Sequence, residues 1–488
     1  MSISKHTTYN VAGAVIPLGV TLVTVPLYLQ VVGVERYGLL TICWVVLGYL
    51  GFLDLGLGPA VSQRIASARE EDRGLAEAVF WTAVWLSVAA GLFTALLFFA
   101  GAALYFLLGG VSASFDGEIR QAVPLLGLVL PLAMVSSVAA GALHGRQRFL
   151  ALNLISTTTA TLMSALPLLV AYLWSPTLSG LLAGALAARA VGLVLQYWNC
   201  VKAVPLSKPE MPRRELVGSL LKFGGWITVT TAVTPLLLTV DRLAIGAALG
   251  AAAVAAYSIP FSLIARMSIV PWGLSSALFP RFAAGSEDER RHLLGVALGA
   301  VTVAMTPLCI LVIAVVGPFF TLWIGPELAQ VSSPVAYLLI AGIWANSVAL
   351  VPYTMLQGSG RPDVVAKIHL AEILPYWLLL GALLLLLGLP GAALAWTIRA
   401  AVDCGLMFWR SATPRASLRI LIVPGLLLLV VLISALALKG LARDLVLVLL
   451  LAASGAWSFR TMPEPLWAHL RTLAGYLPWK RPPARSGP

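Results

Sequence analysis

Hydrophobic residues run along this chain in stretches of about twenty, separated by short polar segments. A helix needs about 20 apolar residues to cross a hydrocarbon core about 30 Å thick. The stretches therefore predict an all-α integral membrane protein with about fourteen transmembrane helices. The predicted spans are 9–31, 39–62, 78–108, 121–142, 150–174, 177–201, 223–247, 254–280, 293–317, 333–356, 366–388, 391–410, 420–438 and 443–459.

The composition agrees with lipid as the solvent for these helices. The chain of 488 residues is 60% hydrophobic, carries only 11% charged residues and has a mean hydropathy of +0.94. A soluble protein of this length needs a charged surface that these residues cannot supply. The first apolar stretch is too long for a signal peptide and lacks its small-residue cleavage site, so we expect it to be a retained span.

Basic residues are distributed unevenly between the two sets of loops. With a cytoplasmic N-terminus, the inside segments hold 24 Lys and Arg residues, and the outside segments hold only Arg36, Arg120, Lys439 and Arg443. Cytoplasmic loops are typically the positive ones, so both termini are predicted to be cytoplasmic in a multi-pass protein of the cell inner membrane. No basic patch with interleaved aromatic residues lies outside the spans, so no nucleic acid is expected as a partner.

Short motifs recur along the chain at a nearly constant separation. Val61–Ala66 ends the second span, and the similar Leu278–Ala283 ends the eighth. Gly145–Arg146 follows the fourth span, and Gly360–Arg361 follows the tenth at almost the same separation. An even number of spans in each copy gives parallel topology, so the pattern predicts two six-helix lobes in a parallel pseudo-repeat, with two extra C-terminal helices.

The repeat divides the chain into five segments. The N-lobe is 1–201, a cytoplasmic linker is 202–222, and the C-lobe is 223–410. Residues 411–459 hold the last two spans, and 460–488 form a cytoplasmic tail with the leucine spacing of an amphipathic helix.

Several enzyme motifs are absent from the sequence. There is no G-x-x-x-x-G-K-[ST] phosphate loop, no H-E-x-x-H and no G-x-S-x-G. The four cysteines form neither a C-x-x-C motif nor a disulfide framework. We therefore predict a transporter with no cofactor and no metal, and not an enzyme. Without an ATPase motif, the driving force must be an ion gradient or the substrate gradient, which leaves coupling to H⁺ or Na⁺ open.

Local motifs in both halves resemble one family of exporters. They are Pro26–Leu29 with Gly33–Leu39, Asp54–Ala60 leading to Arg64, and in the second half Asp241–Gly246 followed by Gly250 and Tyr257–Ser258. These runs are similar to the polysaccharide-transporter branch of the multidrug/oligosaccharidyl-lipid/polysaccharide (MOP) exporters.

The resemblance implies an O-antigen-type flippase for lipopolysaccharide or related polysaccharide biosynthesis. Such proteins move undecaprenyl-pyrophosphate-linked oligosaccharides outward by alternating access through a basic cavity between two lobes. The implied partners are the lipid-linked oligosaccharide, membrane lipids and polysaccharide polymerase or assembly proteins. A lipid II flippase and a MATE-like cation or drug exporter are the alternatives. A cation exporter needs an acidic cavity, whereas the centrally placed charges of this chain are mostly basic.

Four arginines, Arg189, Arg242, Arg266 and Arg399, lie inside predicted spans, and all but Arg242 are candidates for gripping the pyrophosphate. A charge in mid-bilayer costs about 2.5–3.5 kcal/mol, so it needs an explanation. Arg266 lies between Pro260 and Pro271. Prolines leave helix carbonyls without their N–H partners, which is tolerated where a membrane helix lines a water-filled cavity. Arg189 and Arg399 are central in spans six and twelve, although Asp403 has the spacing of an intrahelical partner for Arg399.

Arg64 and Arg281 end equivalent spans at the predicted cytoplasmic face. They are candidates for attracting an anionic substrate, or ordinary positive-inside anchors. Asp54 and Asp241 are the candidate acids for ion coupling, with helix capping or ion pairing as the alternative role. Glu372, near Lys367 and His369, is expected to form an interfacial ion pair.

Overall fold

A computed structural model gives the fold of the chain. It describes residues 19–50, 55–67, 73–107, 116–204, 206, 209–222, 224–225, 228, 240–411, 419–463 and 467. Within these ranges the regular structure is helical and there is no strand. The predicted all-α class is therefore confirmed.

Sixteen helices are numbered here in chain order. They are α1 (Gly19–Val31), α2 (Gly33–Leu50), α3 (Leu57–Ser67), α4 (Arg73–Leu107), α5 (Asp116–Gly145), α6 (Phe149–Leu173), α7 (Leu178–Ala203), α8 (Val240–Leu249), α9 (Ala251–Ile264), α10 (Ile269–Ala284), α11 (Glu287–Ile324), α12 (Pro326–Gly358), α13 (Pro362–Leu387), α14 (Leu389–Arg410), α15 (Ile422–Ala437) and α16 (Gly440–Thr461). A further short helix covers 214–222. In the described part of the chain, 11 helical segments are long and apolar enough to cross a membrane.

The predicted second span, 39–62, is wrong as a single helix. Helix α2 ends at Leu50, and α3 begins at Leu57 after Leu55 and Gly56, both of which have left-handed φ angles of 58° and 60°. A side chain at Gly56 would place its Cβ 2.3 Å from the carbonyl oxygen of Gly224, so only glycine fits this close approach. Most of the predicted seventh span, 223–247, lies outside the described residues, so the count of fourteen stays a prediction.

The chain divides into two compact units, Met1–Ile259 and Pro260–Pro488. In the first unit α5 packs on α3, α4 and α7, and α7 packs on α6. In the second unit α12 packs on α10, α11 and α14, and α14 packs on α13. The order of neighbours is the same in both units, as a repeat requires. Helices α15 and α16 pack on α11 in the second unit. The lobe boundaries drawn from the sequence stay a prediction.

Two glycines mark equivalent turns in this repeat. Gly33 joins α1 to α2 with φ of 81°, and Gly250 joins α8 to α9 with φ of 84°. The two glycines have the same separation along the chain as Val61–Ala66 and Leu278–Ala283. Glycine populates this left-handed region at little cost, so it can end one helix and begin the next without a loop.

A second pair of turns corrects the alignment made from the sequence. The turn between α5 and α6 has its left-handed residue at Gln147, with φ of 55°, and the turn between α12 and α13 has it at Gly360, with φ of 74°. The N–H of the next residue, Arg148 or Arg361, bonds the carbonyl five residues before it in each case. Gly360 therefore matches Gln147 in the structure, and the predicted equivalence of Gly145–Arg146 with Gly360–Arg361 is out of register.

An ion pair fastens three helices of the first unit at one end. Arg36 of α2 donates to both carboxylate oxygens of Glu118 on α5, at 2.7–3.1 Å. Glu118 also accepts the backbone N–H of Leu178, the first residue of α7, at 3.0 Å. The carboxylate therefore satisfies an otherwise unpaired helix N-terminus and ties it to α2.

Candidate functional site

Four ionisable side chains meet between α13 and α14 in the second unit. His369 and Glu372 lie on α13, and Arg399 and Asp403 lie on α14. Nη1 of Arg399 donates to Oε2 of Glu372 at 3.5 Å, and Nε2 of His369 lies 3.6 Å from Oδ1 of Asp403. We call these four residues the α13–α14 charge cluster.

The cluster is almost completely removed from solvent. The exposed fractions of Glu372, Arg399 and Asp403 are 5%, 7% and 6%. Oε1 of Glu372, Oδ1 of Asp403 and Nε of Arg399 are buried and have no hydrogen-bond partner in the described ranges. Buried charged groups are costly unless they are paired, so this incomplete set of hydrogen bonds is an unusual feature of membrane-spanning helices.

Aromatic rings enclose the cluster. The guanidinium carbon of Arg399 lies 5.9 Å from the ring centre of Tyr376 and 5.8 Å from that of Trp396. Tyr353 of α12 stacks on His369 with ring centres 6.3 Å apart. Ring faces attract cations in this distance range, so the aromatic residues help to hold the guanidinium in place.

These contacts correct two expectations from the sequence. Arg399 donates to Glu372 on the neighbouring helix, and not to the intrahelical candidate Asp403. Lys367, expected beside Glu372, instead pairs with Asp363 at 3.0 Å on the exposed side of α13. Glu372 is consequently a buried residue of the cluster and not half of an interfacial pair with Lys367.

Arg266 lies where a membrane span is interrupted. Between α9 and α10 the helix tightens into a 3-10 turn over Ala265–Ser268. Pro271, which lacks an N–H donor, follows in the first turn of α10. The side chain of Arg266 is partly buried, its Nε is inaccessible, and it forms no hydrogen bond or ion pair within the described residues. Short 3-10 segments inside longer helices often mark functional positions.

Arg189 in the first unit also lacks a protein counter-ion among the described residues. It lies near the middle of α7, where it is partly buried. Its Nε is inaccessible and has no hydrogen-bond partner, and no carboxylate pairs with it in the part of the chain that is described. Arg189 and Arg266 are therefore guanidinium groups in membrane helices without a protein counter-ion among the described residues.

Arg64 and Arg281 lie in the last turns of α3 and α10. Both are exposed. A cation at a helix C-terminus interacts favourably with the helix dipole, which gives each a structural role whether or not it also attracts substrate.

Asp241 is fully buried in the first turn of α8 and has protein donors on both oxygens. The hydroxyl of Tyr257 donates to Oδ2 at 2.5 Å, and the backbone N–H of Arg242 donates to Oδ1 at 2.8 Å. Gly250 makes this contact possible because it turns α9 back along α8. The environment of Asp241 is that of a structural anchor, while its predicted role in ion coupling stays a prediction. Asp54 lies outside the described residues.

The family of the chain follows from comparison with known proteins. The family model described as "Polysaccharide biosynthesis protein" matches residues 3–286, more than half of the chain. The chain belongs to this family. A second model, MatE, matches residues 227–383. Both belong with the polysaccharide and multidrug exporters that the local motifs resembled, so the resemblance is confirmed.

A relative of this polysaccharide family member is found in Shigella flexneri. That protein, named "Putative O-antigen transporter", is 27% identical over 412 residues, which are 84% of this chain and 97% of the relative. Together with the family model, it supports a membrane transporter of the polysaccharide biosynthesis family. The prediction that the chain is a transporter and not an enzyme is confirmed.

Solved structures show the same fold. The lipid II flippase MurJ, in an inward closed conformation, superposes with a TM-score of 0.72 at 14% identity over 93% of this chain and 98% of MurJ. An inward-facing multidrug resistance MATE transporter superposes with a TM-score of 0.60 at 17% identity over 84% of this chain and 98% of the transporter. At these identities the likeness concerns the fold alone.

Proposed function

We propose that this family member is a flippase that moves an undecaprenyl-pyrophosphate-linked oligosaccharide from the cytoplasmic to the outer leaflet of the inner membrane. The transport would serve O-antigen or related surface polysaccharide biosynthesis and proceed by alternating access through a basic cavity. The observation that carries the proposal is the guanidinium of Arg266, held at a helix interruption without a protein counter-ion among the described residues.

An anionic headgroup is the ligand that such an arginine suits best. Guanidinium is planar and binds phosphate oxygens through paired, charge-assisted hydrogen bonds. A pyrophosphate offers acceptors for more than one arginine, and Arg189 is a second guanidinium of the same kind. Passage of an anionic substrate gives a reason for keeping these charges at bilayer depth despite their cost.

A cation exporter is less well supported by the acidic residues. Asp241 receives a hydroxyl and a backbone N–H. Glu372 receives Arg399, and Asp403 lies beside His369. Each of these three acids lies against a protein donor or a basic side chain, so none of them is an isolated carboxylate of the kind that attracts a cationic drug.

The test is replacement of Arg266 in a strain that lacks its own O-antigen flippase. Arg266→Ala is expected to lower surface polysaccharide about 10- to 100-fold, the loss of one hydrogen-bonded charge pair, while Arg266→Lys keeps part of the activity. Lys367→Ala, which removes an exposed lysine of α13, is the control. Polysaccharide at the wild-type level in Arg266→Ala, with equal amounts of protein in the membrane, would contradict the proposal.

The partners follow from the same proposal. The lipid-linked oligosaccharide is the substrate and the bilayer lipids surround the helices. A polymerase or other assembly protein would receive the product at the outer leaflet. In the null strain, a failing variant is expected to accumulate the lipid-linked oligosaccharide inside the cell.

A further inference from the structure

The α13–α14 charge cluster has no part in the proposed grip on pyrophosphate. We propose that Glu372 and Asp403 share one exchangeable proton, and that its uptake and release couple transport to the proton gradient. The proton site stands on the geometry of the cluster alone, while the coupling rests on the proposed function.

The charges of the cluster do not balance without a proton. Glu372 and Asp403 carry two negative charges when both are ionised, and Arg399 supplies one positive charge. A neutral His369 adds none. One added proton makes the cluster neutral, which is the favourable state for groups as buried as these.

The hydrogen bonds of the cluster also lack one donor. The one hydrogen bond among the four side chains in the described residues is the one that Arg399 donates to Oε2 of Glu372. Two ionised carboxylates are acceptors only, so they repel each other in a buried cluster. A proton on either residue supplies a donor that the cluster lacks and removes one of the two buried negative charges. Oε1 of Glu372 and Oδ1 of Asp403, buried without a partner among the described residues, are the atoms with free acceptor capacity.

The groups around the pair favour a proton over a metal ion. Arg399 donates to Glu372, and His369 lies beside Asp403. Tyr353 of α12 stacks on His369, Tyr376 lies beside Arg399, and Cys404 follows Asp403 in the chain. Sodium needs several oxygen ligands and would have to sit beside the guanidinium of Arg399, which repels it. No group of three His, Cys, Asp or Glu residues in the described ranges has the arrangement of a metal site.

His369 provides a route for the proton. Its side chain is 21% exposed, against 8% for Asp403, and its Nε2 lies 3.6 Å from Oδ1 of Asp403. His369 lies seven residues from the first residue of α13, which is about 10 Å along the helix. The proton would leave the O–H of the carboxyl pair, pass to the neutral imidazole and go from there to water at this end of α13.

The cluster is connected to the helix that precedes Arg266. Trp396, whose ring lies 5.8 Å from the guanidinium carbon of Arg399, packs edge-on against Phe261 of α9 at 5.3 Å. Phe261 lies five residues before Arg266. Loss of the proton strengthens the pull of the carboxylates on Arg399 and so acts on the packing of Trp396. This contact gives the proton a physical means of biasing the conformation at Arg266.

The site is tested directly by infrared spectroscopy on the full-length protein in phosphatidylethanolamine and phosphatidylglycerol vesicles. Between about pH 6 and about pH 9, the carbonyl band of a protonated carboxyl group is expected to disappear. Glu372→Gln and Asp403→Asn should each remove or shift the band, whereas Asp363→Asn, at an exposed carboxylate of the same helix, should not. Wild-type protein labelled with ¹³C-Asp or ¹³C-Glu assigns the band without any substitution. Absence of a pH-sensitive carboxyl band, or a band insensitive to both labels, overturns the proton site.

Coupling is tested with surface polysaccharide in the flippase-null strain. Glu372→Gln and Asp403→Asn are expected to lower it at least about tenfold at equal protein levels, and a protonophore should do the same to the wild type. Wild-type transport that survives the protonophore, or that follows Na⁺ instead, overturns the coupling. If the wild-type chain restores no polysaccharide at all, the proposed function fails, whereas the infrared result still decides the proton site.

Discussion

Arg189 and Arg399 hold corresponding central positions in α7 and α14, yet their surroundings are opposite. Arg399 is buried at 7% exposure between a carboxylate and two aromatic rings. Arg189 is partly buried and has neither an ion pair nor a hydrogen bond to its side chain within the described residues. The same residue type at matching places in the two units therefore has different surroundings.

This difference distinguishes an arginine whose charge is compensated by a protein carboxylate from one whose guanidinium is available to a ligand. A guanidinium with a protein carboxylate has its charge compensated from within, so it has little to gain from a passing anion. One without such a partner keeps its hydrogen-bonding capacity for a ligand. By this criterion we propose Arg189 and Arg266 as the residues that bind substrate, and the predicted substrate role of Arg399 has the weaker physical support.

The largest expected effect is on stability, at Arg399. Arg399→Ala leaves Glu372 and Asp403 buried without their cation, and removing one partner of a buried ion pair costs about 3–5 kcal/mol. Arg189→Ala should cost less than about 1 kcal/mol, since no described ion pair is broken. Thermal unfolding in detergent, followed by tryptophan fluorescence, measures both variants.

The double variant Arg399→Leu with Glu372→Gln is the control for Arg399→Ala. It removes one charge of each sign and should regain a large part of the lost stability. Equal destabilisation by Arg399→Ala and Arg189→Ala would remove the contrast between the two units.

A smaller effect is expected on transport, at Arg189. Arg189→Ala should lower surface polysaccharide about tenfold, since a hydrogen bond to a charged group contributes about 1.5–3 kcal/mol. Arg189→Lys should retain more activity than the alanine variant because it keeps the charge but loses the planar fork. Unchanged transport in Arg189→Ala, with normal protein levels, would show that this arginine is not a substrate contact.

The sequence predicts the helices well and the contacts of the cluster poorly, for a physical reason. Long apolar runs determine a membrane helix locally, because the lipid requires every backbone group to be bonded within the segment. The partner of Arg399 depends instead on how α13 and α14 align around the turn at Gly388, which has φ of 63°. Asp403, four residues away, was visible in the sequence, whereas Glu372 is 27 residues away and faces Arg399 only after the helices pack.

The break in the predicted second span shows that hydropathy averaged over about twenty residues can conceal the start of a new helix. Gly56, Gly58 and Pro59 are local signals of a helix start. A twenty-residue window of apolar residues runs through them, and so it predicted one helix where there are two. Similarly, no sequence signal marks Gln147 as left-handed, because the residue usually found at such a position is glycine.

The smallest expected effect is on stability, at the two matching turns: Gln147 in the first unit and Gly360 in the second. A left-handed conformation costs a residue with a side chain about 1–2 kcal/mol, whereas glycine adopts it freely. Gln147→Gly should therefore stabilise the protein by about 0.5–1 kcal/mol after the added freedom of the unfolded chain is subtracted. Gly360→Gln should destabilise it by a similar amount, since a Cβ at Gly360 meets nothing within 4 Å and only the backbone is strained. Thermal unfolding of the two variants measures opposite shifts if the turns are equivalent. A loss of stability in Gln147→Gly would mean that the glutamine side chain contributes more than its backbone costs, and the match between the turns would then hold for geometry but not for energy.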